Sequence, residues 1–350
     1  MADDLSLTVG GKRISGWTEI AVTCGAESVP RSFDIGVTEL YPGDAARLVV
    51  EPGQACTVAI GGDTVITGYV DRYMSRTSPK GHSVRIIGRG KCQDLVDCSA
   101  EWPTGQISGA NAVEIARKLA QPYGISVSST GAAGPTIPQF NLTLTETAFD
   151  VIEQVCRYAA LLAYEDAAGA LVLGQVGTER AASGFTEGVN VQDAAVSRTM
   201  DQRYSEYDAF LLSMDVLGDL GEGGNLIGSA RDPQVKRHRR KSMIAEAPSG
   251  GQDIAKKRAA WEASRRMGRS RQAVITCDSW RDEAGALWRP NTLAPVKLPE
   301  HHLDEAAWII GQVTFRRAKD TGTTAQVVLM PPEAYSPEPI LLVPVLAGVD

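Results

Sequence analysis

Few side chains in this sequence are spaced for chemistry. His301 and His302 are adjacent. Neighbouring side chains on a strand point to opposite faces and no cysteine lies nearby, so the pair is poorly placed to share a metal. It reads as part of a solvated loop beside Asp304 and Glu305. Cys92 and Cys98 invite a disulfide or a metal half-site, but the six cysteines contain no C-x-x-C pair. In a chain of this size they read as buried or partly buried free thiols made in a reducing compartment. Asp193, Asp201, Glu206 and Asp208 form a carboxylate-rich stretch. A glycosidase needs two carboxylates a few Å apart, yet no aromatic-rich pattern marks a cleft around these four.

The sharpest electrostatic feature is 231–271, where thirteen Lys/Arg, among them Lys236, Arg237, Arg239 and Arg240, stand against four carboxylates. Such a stretch can face nucleic acid phosphates, meet an acidic partner or a neighbouring subunit, or simply solvate a helix face and a loop. No aromatic platform is interleaved with the charges, which argues against a single-strand binder. The net charge is −7 and the pI about 5.3, so the whole molecule is not a general polyanion binder. G-x-S-x-G, H-E-x-x-H and G-x-x-x-x-G-K-[ST] motifs are absent, and Gly88-Arg89-Gly90 lacks the third glycine and the helix of a dinucleotide fingerprint. The residues therefore nominate no catalytic group, cofactor site or metal site.

Around these groups the chain is mostly β-patterned. At 350 residues it is long enough for two to three cores. Over residues 1–95 Ile20, Val22 and Cys24 alternate, as do Phe33, Ile35 and Val37, and Gly61-Gly62-Asp63 is a hairpin turn. This spacing predicts a small barrel or sandwich. Over 96–184 the period changes. NAVEIARKLAQ (111–121) and TAFDVIEQVCRYAA (147–160) carry apolar residues at helical spacing, the second capped by Thr145 or Thr147. A hairpin follows over 161–176, giving an α/β unit. From 185 to 335 the pattern is β again, with one helix at 252–267 and Pro295 marking an edge or a bulge. The tail 336–350 is punctuated by proline around the apolar run Ile340, Leu341, Leu342. No signal peptide pattern opens the chain, and its longest apolar run is too short to span a bilayer.

The organising stretch is 308–334. Ile309, Gly311, Val313 and Phe315 alternate with Trp308, Ile310 and Thr314, residues 319–321 with Gly322 make a turn, and Ala325, Val327 and Leu329 form the return strand. WIIGQV (308–313) echoes VITGYV (65–70), and each follows a V-x-[IL] strand, which points to one β-module used twice.

GALWRPN (285–291), WIIGQV (308–313) and VVLMPPEAY (327–335), together with AWEASRRMGRS (260–270), the 87–98 run with its DLVDC, and LAQPYGISV (119–127), resemble the baseplate hub protein of Mu-like contractile-tailed phages. The resemblance runs through nearly the whole chain in order. It implies a mainly β chain with an α/β insert (α+β): a first tail-tube-like β-barrel domain at 1–95, a smaller α/β domain at 96–184, a second barrel at 185–335 and a C-terminal tail at 336–350. It also implies a homotrimer whose six like modules form a pseudo-sixfold ring between the tail tube protein and the central spike protein. DNA would be a transient passenger through the lumen. The site would be the virion baseplate, after assembly in the host bacterial cytoplasm, with no membrane insertion. On this reading Lys236, Arg237, Arg239, Arg240, Ile340, Leu341 and Leu342 are the candidate partner or subunit contacts. A tail-tip cell-wall hydrolase, and a hub of a secretion-system or bacteriocin spike, are the competing expectations.

Overall fold

The structure is a computed structural model that describes residues 3–39, 50–79, 81–102, 105–131, 133–134, 136–143, 145–159, 161–212, 225–244 and 252–335. The tail 336–350, with Ile340, Leu341 and Leu342, lies outside the described residues.

The N-terminal part is a seven-strand antiparallel sheet: β1 (Leu5–Val9), β2 (Lys12–Ile14), β3 (Glu19–Gly25), β4 (Ser32–Glu39), β5 (Ala55–Ile60), β6 (Asp63–Ser78) and β7 (Gly81–Gly90). Their hydrogen-bonded order is β2-β1-β5-β6-β7-β4-β3. The period-2 pattern sets the faces. Ile20, Val22 and Cys24 of β3 and Phe33 and Ile35 of β4 all point into one core. Gly61 and Gly62 sit at φ 57 and 99, the left-handed pair that a tight two-residue hairpin needs.

The α/β insert follows: α1 (Gln93–Asp97), β8 (Gln106–Ala110), α2 (Ala112–Ala120), β9 (Val127–Thr130), β10 (Ile137–Asn141), α3 (Ala148–Ala159), β11 (Leu162–Glu165) and β12 (Leu171–Gly174). Both longer helices start on capping boxes. Asn111 exchanges bonds with Glu114 at 3.0 Å each way, and Thr147 exchanges bonds with Asp150 at 2.9 and 3.1 Å. Thr147, not Thr145, is the cap. Ile115, Leu119, Ile152 and Val155 bury a separate core against Leu171 and Leu173.

The remainder supplies β13 (Phe185–Thr186), β14 (Val191–Arg198), β15 (Glu206–Leu212), β16 (Asn225–Arg231), β17 (Arg240–Ile244), α4 (Gln252–Arg269), β18 (Arg271–Cys277), β19 (Leu293–Leu298), β20 (Leu303–Ala318) and β21 (Gly322–Met330). β15, β16 and β17 form a small sheet of their own, and Ala255, Ala259 and Ala263 of α4 pack on Tyr207 and Ala209 of β15. The other strands run β14-β18-β21-β20, with β19 on β20 and β13 on β19. Then β20 pairs with β3, so both strand sets become one 13-stranded sheet around one core. The mainly β class with an α/β insert is thus the observed one, and the sheet curls as a half-barrel.

Two sequence readings change in register. Gly311 is a bulge, because Ile310 and Gln312 take successive partners on β21. The skipped residue reverses the alternation. Trp308 and Ile310 therefore share the core with Val313 and Phe315, whereas Ile309 packs in a separate cluster with Tyr335. The WIIGQV and VITGYV echo falls on matching strands, β20 and β6, each of 16 residues. Matched end to end, however, Asp63 aligns with Leu303, which puts the echo three residues out of register. An odd shift exchanges the faces of a strand, so the repeat lies in the strand layout and not in those six letters.

Candidate assembly interface

The side chains that could act converge on joints between units of the fold. At the seam of β3 and β20 the register runs from Gln312 opposite Gly25 to Arg317 opposite Ile20. The hydroxyls of Thr23 and Thr314 meet across it at 3.1 Å. Buried Trp280 braces the seam. Its Nε1–H donates to the carbonyls of Thr324 (2.8 Å) and Arg316 (3.1 Å), its ring meets Phe315 edge-on, and the Arg317 guanidinium covers it at 4.9 Å. Ion pairs add to the joint: Arg281 with Asp3 and with Asp63 (2.8 Å), and Arg317 with Asp4 (3.1 Å).

A second joint centres on Glu165, whose side chain is fully buried where the insert meets the N-terminal strands. Its Oε2 accepts the Arg31 N–H at 2.7 Å and its Oε1 accepts the Cys92 N–H at 2.9 Å. The Arg31 guanidinium donates to the carbonyls of Glu165 and Val65, both at 2.8 Å. Burial pushes the Glu165 carboxyl above its ordinary value, opposed by the N–H groups of Cys92 and Arg31 and by the Arg31 charge. A third joint is Glu27, which takes Arg265 (2.6 Å) and Arg269 (2.5 Å) from α4.

The basic stretch is therefore largely spoken for inside the chain. Besides Arg265 and Arg269, Arg231 pairs with Glu206, Arg240 with Asp208, Arg258 and Arg266 with Glu262, and Arg271 with Glu305. Arg239 donates to the carbonyls of Met200 and Asp201 and lies 4.9 Å over Tyr204. Lys236 and Arg237 stay exposed on the segment between β16 and β17. The sequence placed Lys236, Arg237, Arg239 and Arg240 in one group; the fold ties Arg239 and the still exposed Arg240 to partners within the chain and leaves Lys236 and Arg237 as outward charges. It missed Glu165, Glu27 and Trp280 because each acts on residues far away in the chain.

In the carboxylate-rich stretch 193–208, Glu206 and Asp208 are each engaged by an arginine. Asp208 is held by Ser229 (2.5 Å) and Arg240 (2.5 Å), and Glu206 by Arg231 (3.2 Å). Burial raises Asp208, but those hydrogen bonds and the charges of Arg240 and Arg231 outweigh it and keep the carboxyl below its usual range. His301 closes a 3-10 turn and His302 takes φ 51. Among the described residues no group of three or more His, Cys, Asp or Glu could hold a metal ion, and no helix is long and apolar enough to cross a membrane. Cys92 is buried and its thiol is pushed up by burial and then by the neighbouring Glu165, while Cys98 is half-buried and unbridged.

This architecture, a half-barrel sheet built from two like strand sets with an α/β insert, is that of a phage tail protein. Its structure is similar to that of the prophage MuSo2 43 kDa tail protein from Shewanella oneidensis, with TM-score 0.84 and 30% identity over 95% of this chain and 99% of that one. It is also similar to a tail protein from Neisseria meningitidis MC58, with TM-score 0.84 at 22% identity, covering 97% and 99%. Family models match in succession: the Mu phage baseplate assembly protein GpP-like N-terminal domain at 4–90, the baseplate hub protein gp44-like second domain at 92–175, and the GpP fourth domain at 251–338. The baseplate hub protein gp44 of Escherichia phage Mu is 30% identical over 347 residues, 96% of this chain and 89% of that protein. The chain belongs to the Mu-type phage baseplate hub family.

Proposed function

We propose that this baseplate hub protein works as a homotrimer, a ring of six like modules that joins the sixfold tail tube to the threefold central spike. The supporting observation is the strand order. β5-β6-β7-β4-β3 and β19-β20-β21-β18-β14 repeat one antiparallel layout, flanked by β1 (antiparallel) in the first set and by the short β13 (parallel) in the second, so three chains would present six similar sheet units. Such a part acts by matching symmetries and not by bond chemistry, in keeping with carboxylates committed to arginines. DNA passes through its lumen without stable binding. Its place is the virion baseplate, reached after assembly in the host cytoplasm. We assign 1–95 and 185–335 to the two ring modules, 96–184 to the α/β domain and 336–350 to a docking tail. Lys236, Arg237, Arg239 and Arg240, with Ile340, Leu341 and Leu342, contact a tail partner or a neighbouring subunit.

Native mass measurement of the purified chain, alone and co-expressed with the spike protein of its own gene cluster, tests this reading. The expected result is three copies per complex in one or both samples. A chain that stays monomeric in both overturns it, as does cleavage of peptidoglycan in a zymogram.

A further inference from the structure

β6 and β20 are equivalent strands that are not equally paired. Each has 16 residues and each bulges at its ninth, Asp71 and Gly311. On β20 the edge away from β21 is shared: 303–309 faces β19 and 312–317 faces β3. On β6 the edge away from β7 faces β5 over 63–69. Beyond the bulge, 72–77 has no partner strand on that edge among the described residues. The equivalent of β3 in the second strand set is β14. It pairs with β18 and, at Val191 only, bridges Glu187, so over 194–198 its other edge is also open among the described residues. Each open edge is the counterpart of one side of a seam that the chain has already closed once.

Apolar exposure marks the same two edges. The exposed large hydrophobic residues among those described are Met74, Val189, Met200 and Ile244. Met74 lies in the open part of β6, and Val189 and Met200 flank β14 at either end. Unpaired strand edges bearing apolar side chains are templates for another strand.

We propose that β14 of one copy pairs antiparallel with 72–77 of β6 in a second copy of this chain, reproducing the seam of β20 and β3. The inference rests on the ring reading above and names its intermolecular joint. The register follows from the seam within the chain. Ile35 opposite Ile20 corresponds to Ile275 opposite Ala194, which aligns β3 with β14. Thr314 opposite Thr23 then becomes Met74 opposite Ser197, and the pairing runs from Arg72 with Thr199 to Thr77 with Ala194. The faces agree. Ala194 and Val196, half-buried against the core of their own chain, meet the side on which Tyr73 packs against the core and on which Ser75 and Thr77 are still exposed and free to be covered. Arg72, Met74 and Arg76 are exposed, as are Asp193, Ala195 and Ser197. Arg76 thus stands diagonal to Asp193, within reach of an ion pair across strands. The contact is head-to-tail, the kind that closes rings.

The test is a cysteine pair in the full chain, Met74→Cys with Ser197→Cys. The matching hydroxyls within the chain lie 3.1 Å apart, close enough for the partner thiols to bond. Five of the six native cysteines are buried. Under mild oxidation the expected result is a covalent trimer on a non-reducing gel, with at least tenfold more cross-linking than Met74→Cys with Val196→Cys, whose side chains would face opposite sides. Trimers by native mass with no preference for the Ser197 pair overturn the proposed joint and leave the ring reading intact. Selective cross-linking into a closed complex of another copy number supports the joint and overturns the trimer. Monomers without cross-links overturn both.

Discussion

Replacing Glu165 by alanine isolates the joint between the insert and the sheet. The substitution leaves the N–H groups of Arg31 and Cys92 buried without their acceptor. Each orphaned donor costs about 1–3 kcal/mol. Part of that is returned because a carboxylate raised by burial no longer has to be desolvated. The net loss is about 3 kcal/mol, concentrated in the insert. Native-state hydrogen exchange reads such local opening directly. Amides of α1, β11 and β12 are expected to lose roughly a hundredfold in protection, while those of β20 and β21 stay within about threefold. Glu165→Gln supplies the pH arm. A carboxyl whose folded-state value is raised contributes stability that is complete below its unfolded value and lost as pH rises through the folded one. Wild-type protection in the insert therefore declines through that window, and the glutamine variant lacks this component of the slope. Unchanged protection over 92–97 and 162–174 in Glu165→Ala would refute the reasoning.

Trp280→Phe leaves a smaller aromatic ring and removes the N–H that serves the carbonyls of Thr324 and Arg316; the orphaned carbonyls and the vacated volume together predict a loss of about 2–4 kcal/mol, seen as a lower midpoint in urea. Gly311→Ala would set a Cβ 1.8 Å from Tyr335 Oη, so Tyr335 must move, at about 1–3 kcal/mol by the same titration. Glu27→Gln leaves Arg265 and Arg269 without their shared carboxylate; α4 should exchange its amides faster, by about tenfold or more. Lys236→Glu with Arg237→Glu should leave stability within about 0.5 kcal/mol but reduce co-purification with the partner they contact; unchanged recovery would return both residues to the plain surface.

Much of the layout was legible because its signals are local. The helices of the insert announce themselves by period and by a threonine cap that the sequence leaves between Thr145 and Thr147, the turn before β6 by paired glycines, and the irregularity at Pro295 by a missing N–H, now seen as a register shift between Ala294 and Val296. The family resemblance rested on runs of this kind. What the letters hid is non-local. Nothing in Arg231–Arg271 says that its arginines are answered from Glu27, Glu206, Asp208 and Glu305. The bulge at Gly311 inverted the expected faces of β20 because alternation is counted from an assumed start, and a single extra residue reverses it. Nor does β3 reveal in sequence that its partner is the penultimate strand of the fold.

That pairing has a consequence for synthesis. Thr23 and Thr314 are separated by 291 residues, and a ribosome adding about 5–20 residues per second needs roughly 15–60 s to cover that distance. Throughout that interval the nascent N-terminal sheet waits with β3 unpaired on one side. Only when β20 emerges can the polypeptide fasten its own beginning, so a chain stalled or truncated before that strand offers other nascent chains a vacant place. The last strands to be translated thereby act as the clasp that separates a finished subunit from an aggregation seed.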